Sequence, residues 1–192
     1  MKKLTLTLLI VTLLGLFCSC SDDDNSTNTQ NDDSVYLPLA VGNEWIFIKD
    51  ATTEESVKIS TKSEINGVTF FVFEGEDDYS FNFDHSDMGM YYKDEDLWGF
   101  KDGVGKLFLE KSPVVGSIYE VNYTSEGSKI EILDTSEEIS TDLGTFKCLK
   151  FNIFSPDDGW HTTYWMAKGI GIVKRLDINS GITSYLKSYT IN

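Results

Sequence analysis

Histidines with neighbouring acids and hydroxyls are the residues of this sequence that could perform hydrolytic chemistry. The run Asp84-His85-Ser86-Asp87 contains all the residue types of a nucleophilic triad. Four adjacent residues cannot all converge on one substrate atom, however, and no Gly-x-Ser-x-Gly turn is present to expose a nucleophile. The other histidine, His161, has no second His or Cys at the spacing that zinc requires. The sequence therefore names no catalytic residue and predicts no metal and no cofactor.

Acidic runs recur between the aromatic-rich strands of the predicted domain. The acidic runs are Asp77-Asp78, Asp84 to Asp87, Asp94-Glu95-Asp96 and Asp157-Asp158. None of them follows the EF-hand calcium pattern, so solvated loops are the simpler interpretation, although two carboxylates could also flank a sugar in a hydrolase. Trp98 and Trp160 each stand close to Asp and Gly in expected turns. We interpret these two residues as candidate stacking surfaces for a glycan or another flat apolar ligand.

Residues 1–19 carry the pattern of a secretory signal peptide. Lys2 and Lys3 give a positive start, and Leu4 to Phe17 is an almost unbroken apolar run. The run is shorter than the roughly 20 apolar residues that a membrane-spanning helix needs, and an acidic cluster follows it. We therefore predict export and removal of this segment rather than permanent insertion as a helix.

The residues around Cys20 resemble a bacterial lipobox, with bulky Phe17, small Ser19 and then the cysteine. The resemblance implies thioether lipidation of Cys20, cleavage before it and acylation of its amine. Phe17 stands where leucine is usual and Cys18 where alanine or serine is usual, so Cys18 is an alternative acceptor. An ordinary signal peptide cut without lipidation is the other interpretation. Two or more acyl chains anchor a protein stably, so the expected partner is a membrane.

The segment after the cysteine bears on location. Ser21 to Asp24 resembles the acidic export signal of Bacteroidetes-type surface lipoproteins, which implies the outer face of the outer membrane. An Asp at the second position would instead mean inner-membrane retention in the enteric sorting scheme, leaving the domain in the periplasm, and a merely solvated acidic run is a third interpretation. Residues 20–34 hold no apolar residue after Cys20, so we expect a disordered tether that reaches about 20 Å.

Charge and cysteine content narrow the classes of partner. The formal net charge is −15. Nucleic acid is therefore excluded as a partner, because binding to its phosphates depends on Lys and Arg side chains. Cys148 is the cysteine that remains once Cys18 is removed and Cys20 is lipidated, so no disulfide framework is expected.

Residues 35–192 form one predicted domain, in which apolar residues recur with a period of two. Asn66-Gly67 and Asp102-Gly103 are hairpin-turn signals between such runs. We predict an all-β antiparallel meander of roughly a dozen strands, forming a curved sheet, half-barrel, sandwich or barrel. The predicted strands are Glu44 to Lys49, Ser56 to Lys62, Val68 to Phe73, Tyr79 to Phe83, Gly89 to Lys93, Leu97 to Lys101, Lys106 to Leu109, Ile118 to Tyr123, Lys129 to Leu133, Thr145 to Phe154, Thr162 to Met166, Gly171 to Leu176 and Thr183 to Ile191.

Three spaced motifs span this domain, namely Tyr36 to Trp45, Leu143 to Cys148 and Trp165 to Lys174. Together they resemble envelope lipoproteins of the TapB-like type. The resemblance implies a β-rich fold without an agreed activity. We therefore expect a lipid-anchored, non-enzymatic binding or scaffold domain at the outer membrane. The alternatives are a glycan-binding or glycan-hydrolysing surface module and a carrier that holds an apolar ligand inside a curved sheet.

Overall fold

The computed structural model describes residues 34–75, 88–121, 127–157 and 159–192, and the regular elements in these ranges are all β-strands. This confirms the predicted all-β class. No helix in these ranges is long and apolar enough to span a bilayer. The predicted strand Tyr79 to Phe83 lies outside the described residues. In chain order the strands are β1 (Glu44–Lys49), β2 (Thr53–Ile65), β3 (Val68–Gly75), β4 (Met88–Lys93), β5 (Asp96–Lys101), β6 (Val104–Leu109), β7 (Ile118–Glu120), β8 (Lys129–Thr141), β9 (Gly144–Phe154), β10 (His161–Ala167), β11 (Gly171–Asp177) and β12 (Thr183–Thr190).

The described strands form one antiparallel sheet in the order β6-β5-β4-β3-β2-β1-β12-β11-β10-β9-β8-β7. Two meanders, β1 to β6 and β7 to β12, are thus joined where β1 pairs with β12. The two ends of the sheet, β6 and β7, come into contact with each other. Among the forms that the sequence left open, the sheet takes that of a nearly closed barrel.

Residues in the left-handed backbone conformation form two of the predicted hairpin turns. Asn66 and Gly67 have φ of 54° and 79°, and Asp102 and Gly103 have φ of 52° and 78°. Consecutive positive φ values are the signature of the type I′ turn, whose twist matches that of the flanking strands. The β2–β3 and β5–β6 hairpins are therefore confirmed where the Asn-Gly and Asp-Gly pairs predicted them.

Alternating side chains fill the barrel interior with one large apolar cluster. Neighbouring residues along a strand point to opposite faces, so a second set of apolar residues covers parts of the outer face. The interior cluster includes Leu37, Trp45, Phe47, Val57, Ile59, Phe73, Leu97, Phe108, Ile130, Leu149, Phe151, Tyr164, Met166, Ile172 and Leu186. The outer Cys148 cluster comprises Ile139, Cys148, Trp165, Ala167 and Val173. The outer Phe70 cluster comprises Phe70, Val72 and Phe100.

Asn43 fixes the segment that leads into β1. Its side-chain amide donates to the carbonyl of Pro38 at 2.9 Å, and its backbone N–H donates to the carbonyl of Ala40 at 3.1 Å. Its side-chain oxygen accepts the backbone N–H of Asn192 at 2.9 Å. Asn43 is fully buried, and a buried polar group of this kind is stable only when it is hydrogen-bonded. The start of the domain is therefore fastened to its C-terminus.

The first and third sequence motifs meet at the β10–β11 turn. The indole N–H of Trp45 donates to the carbonyl of Ile170 at 2.5 Å, and the N–H of Gly169 donates to the carbonyl of Val35 at 2.7 Å. The pairing of β10 with β11 shifts register after Trp165, which marks a β-bulge close to Gly169 and Gly171. These motifs thus have a structural role, because they hold the start of the domain against the β10–β11 turn.

Replacing Gly171 with Ala should destabilise the domain by about 2 to 4 kcal/mol. Gly171 has φ of 100°, and an added Cβ would lie 3.1 Å from both Leu37 Cδ1 and Trp45 Nε1. Gly181→Ala is the matched control, because Gly181 has φ of 74° but no atom within 4 Å of the added Cβ. The control should lose only about 1 kcal/mol in urea unfolding. Equal losses would show that Trp45 does not approach Gly171 closely.

Candidate functional site

Trp98 faces the outside of the barrel. It follows Leu97, which belongs to the interior cluster, and it is half-buried. The Lys93 ammonium lies 4.8 Å from the centre of its ring, and the Tyr91 ring centre lies 6.3 Å away. One face of the indole is therefore occupied by a cation of the same domain, in the geometry of a cation–π contact.

Trp160 packs against the interior cluster, in the connection between β9 and β10. Its carbonyl accepts the backbone N–H of Ser155 at 2.9 Å, and the side chain is half-buried. Trp98 and Trp160 thus lie on opposite sides of the sheet, and they do not line one groove. Stacking of a ligand on either ring stays a prediction.

The remaining residues with catalytic or ligating chemistry are scattered. Cys20 and the run Asp84 to Asp87, with His85, lie outside the described residues. The backbone N–H of His161 donates to Asn179 Oδ1 at 3.0 Å, and its ring centre lies 5.9 Å from that of Phe154. In the described ranges, no three His, Cys, Asp or Glu side chains come together as a metal site.

The structure brings together a buried group of charges that the sequence did not single out. Arg175 on β11 donates to Glu55 on β2 at 2.9 Å, and Lys49 on β1 lies 2.8 Å from the other carboxylate oxygen. The side chains of Glu55 and Arg175 are 4% and 9% exposed. Arg175 Nη2 also lies 3.4 Å from the hydroxyl of Ser184 on β12. We call Lys49, Glu55, Arg175 and Ser184 the Arg175 cluster.

Strand register directs these side chains inward. Glu55 is opposite Phe47, and Arg175 is opposite Tyr164, where Phe47 and Tyr164 both belong to the interior cluster. Directly opposite residues of an antiparallel pair share a face of the sheet. The Arg175 cluster therefore lies inside the barrel rather than on its outer surface.

Two small cavities adjoin Arg175. The first has a volume of about 20 Å³ and is lined mainly by apolar side chains, including Trp45, Phe47 and Phe73. The second has a volume of about 60 Å³ and is lined by polar side chains, including Lys49, Thr162 and Asp177. A cavity of roughly 10 to 15 Å³ holds one water molecule. These two cavities thus have room for water or a very small ligand.

The Arg175 cluster is equipped for charge pairing rather than for proton transfer. A guanidinium does not deprotonate in proteins, and the Glu55 carboxylate already faces two cations. Burial raises the pKa of the nearby Tyr164 to about 12, although Arg175 opposes the shift and Asp177 adds to it. Tyr164 therefore keeps its proton at neutral pH. The arrangement can hold the interior together or bind a small ion, and it lacks an activated nucleophile among the described residues.

A second polar group covers the outer Cys148 cluster. The Trp165 ring lies between the Lys174 ammonium at 4.2 Å and the Lys150 ammonium at 5.1 Å. Lys150 also pairs with Glu137 at 2.9 Å. Burial would raise the pKa of Glu137, but its ion pair with the Lys150 ammonium outweighs the effect of burial, and the pKa is lowered. Lysine stems and an indole thus shield the apolar residues of this face from water.

Alkylation of the Cys148 thiol should report unfolding of the domain. Cys148 is fully buried, and burial followed by the charge of Glu137 raises the pKa of its thiol to about 12. Because the thiolate is the reactive form, iodoacetamide at pH 8 should modify Cys148 in denaturant and leave it unmodified in buffer, as measured by mass spectrometry. A cysteine at exposed Val104, introduced as Val104→Cys, should react in both conditions. Equal modification of Cys148 with and without denaturant would contradict the buried placement.

Comparison with known proteins leaves the family of this chain open. No protein-family model matches the sequence, and neither does any curated protein. Among solved structures, the chain is similar to a protein from Parabacteroides distasonis that is provisionally described as a lipoprotein. The identity is 11%, the TM-score is 0.44, and the match covers 81% of this chain and 98% of the other. A likeness of this degree carries no argument about function, and the resemblance to TapB-like lipoproteins stays a prediction.

Proposed function

We propose that this chain is a lipid-anchored lipoprotein of the outer membrane, whose β-domain binds or scaffolds without catalysing a reaction. The observation that carries the proposal is the position of Cys20, at the end of an apolar run and before Asp22 to Asp24. An apolar run that ends in a cysteine followed by a polar tether is the arrangement that lipidation and export require. The acidic tether favours display at the cell surface over the periplasmic face.

The interior of the described barrel supports a scaffold more than a carrier. Phe108, Phe151 and Tyr164 fill its centre, with ring centres 5.9 Å and 5.5 Å apart in successive pairs. The cavities beside Arg175 are far smaller than the roughly 300 to 1,000 Å³ of drug-sized ligand pockets. A domain with a packed interior would present its surface to partners rather than enclose a ligand.

Palmitate labelling tests the anchor. The wild-type chain should incorporate labelled palmitate in a bacterial host, and Cys20→Ala should lose the label because the thioether and the acylated amine both belong to that residue. Cys18→Ala is the matched control, and it should keep the label while removing the alternative acceptor. Unchanged labelling of the Cys20→Ala chain would end the proposal, since the lipid would then be attached elsewhere.

Protease treatment of intact cells tests display at the surface. A surface domain should be degraded before the outer membrane is broken, whereas a periplasmic domain should survive until it is broken. Both results leave the anchor in place, so the experiment separates location from lipidation.

A glycan array addresses the glycan-binding alternative. That alternative depends on Trp98 and Trp160, and each indole already contacts neighbouring residues of the domain. If the domain binds a glycan and Trp98→Ala abolishes that binding, the result would support a glycan-binding role for the outer face. An array without binding, together with a hydrolysis screen without product, would remove it.

A further inference from the structure

Three exposed aliphatic side chains lie within five residues of one another, in the β6–β7 connection and at the start of β7. Val114, Val115 and Ile118 are 62%, 57% and 58% exposed. Single exposed apolar residues are normal on soluble domains, whereas a contiguous group marks an interaction surface. We call Val114, Val115 and Ile118 the apolar tip.

Hydrogen bonds hold the apolar tip in a defined shape. The N–H of Ser117 donates to the carbonyl of Val114 at 3.0 Å, and Gly116 has φ of 85°, as the third position of a type II turn requires. The N–H of Gly116 donates to the carbonyl of Ile132 at 2.8 Å, and the N–H of Ile132 donates to the carbonyl of Ser117 at 3.0 Å. The turn is thereby fixed to β8 while its valines point to solvent.

The apolar tip lies at the end of the barrel where the chain enters the domain. The backbone N–H and carbonyl of Leu37 both bond the hydroxyl of Tyr92, at 3.2 and 3.0 Å, near the end of β4. The β4–β5 turn that follows carries Glu95, and β5 begins at Asp96. Lys111 pairs with Glu95 at 2.6 Å and donates its backbone N–H to Asp96 at 2.8 Å. Lys111 precedes the tip by a few residues. The start of the domain, this turn and the tip therefore lie at one end of the barrel.

We propose that the apolar tip rests on the lipid bilayer and orients the domain on the membrane. The inference rests on the proposed anchoring through Cys20. The tether between Cys20 and Ser34 would reach only about 20 Å as a flexible coil, and it joins the domain at the end that carries the tip. Glu110 precedes the tip and Glu120 follows it in the chain, while Lys111 is paired with Glu95, so the tip fits neutral, zwitterionic head groups rather than an anionic surface. Valine and isoleucine side chains would bury in the boundary between head groups and acyl chains.

A fluorescent probe at the tip tests this proposal. An environment-sensitive dye is attached to the mature chain that carries Val115→Cys, with Val104→Cys as the matched control. Val104 is 56% exposed and lies at the opposite end of β6, and the buried Cys148 should stay unlabelled. Vesicles of phosphatidylcholine and phosphatidylethanolamine carry either the lipidated chain or a Cys20→Ser chain held by an N-terminal polyhistidine tag on nickel-chelating lipid.

The emission of the dye at position 115 should rise roughly twofold on vesicles, and brominated acyl chains should quench it. The emission of the dye at position 104 should change little. This result on both kinds of vesicle supports the proposal that the apolar tip rests on the bilayer. Failure of the lipidated chain to join vesicles, with quenching of the tagged chain, would overturn the Cys20 anchor and leave the tip supported. If the chain is held on the vesicle and the dye at position 115 is quenched no more than the dye at position 104, the proposed contact of the tip with the bilayer is overturned and the anchor is left intact.

Discussion

Replacing Arg175 with Met is expected to destabilise the domain by about 3 to 5 kcal/mol, because the substitution leaves a carboxylate inside the barrel with half of its charge pairing. Glu55 is 4% exposed in its side chain and faces Arg175 and Lys49 on its two oxygens. Lys49 would remain, so the loss should fall towards the lower end of that range. Urea unfolding followed by far-ultraviolet circular dichroism measures the change in the free energy of unfolding.

Two further variants test whether the loss of stability in Arg175→Met comes from the burial of its ion pair. Lys187→Ala breaks the ion pair between Lys187 and Glu54, whose side chains are 47% and 54% exposed, and it should cost about 1 kcal/mol or less. The double variant Glu55→Leu with Arg175→Met removes both buried charges, and it should recover most of the stability, since apolar replacement of a complete buried pair is often neutral. A loss for Arg175→Met as small as that for Lys187→Ala would mean that the Arg175 cluster is open to water.

Replacing Phe151 with Ala should cost about 3 to 5 kcal/mol, the usual loss for a large aromatic residue in a core. Phe151 is fully buried at the centre of the interior cluster. Its ring meets Phe108 of β6 edge-on at 5.9 Å and stacks on Tyr164 of β10 at 5.5 Å. Because Phe108 belongs to a strand at one end of the sheet, this contact also helps to hold the barrel nearly closed. Calorimetry would show the loss as a lower melting temperature.

Phe146→Ala on the same strand is the matched control for Phe151. Phe146 is half-buried and packs against the outer Cys148 cluster. Its truncation removes the same number of atoms but less buried surface, so the loss should be less than half of that for Phe151. Equal losses for the two variants would contradict a barrel whose main core lies inside.

The strands and tight turns of the domain could be predicted from the sequence because their signals are local. Alternation of apolar and polar residues predicted β1 with the bounds that the structure has, and most other strands to within a few residues. Asn66-Gly67 and Asp102-Gly103 predicted two hairpins, because these residue pairs tolerate the positive φ values that the turn needs. β8 is longer than predicted, since its bulges break the alternation after Ile132.

The Arg175 cluster could be predicted only in part. Glu55 is in phase with Val57 and Ile59, so alternation alone would have placed it on the buried face. Arg175 is different, because strict alternation from Ile172, which faces the interior, would place residue 175 on the outer face. The bulge between β10 and β11 adds one residue and turns Arg175 inward. In the sequence, Gly169 and Gly171 are compatible with either a bulge or a close backbone approach, and they do not indicate which side chains a bulge would redirect.

For this protein, the sequence by itself determined the strand content, the hairpin turns and the prediction of an anchor at Cys20, since each depends on residues that are neighbours in the chain. Only the tertiary structure decided that β1 pairs with β12, that β6 approaches β7, and that Arg175 meets Glu55. Glu55 and Arg175 are separated by 120 positions. Their contact depends on sheet order and on one bulge, which no local pattern of residues encodes.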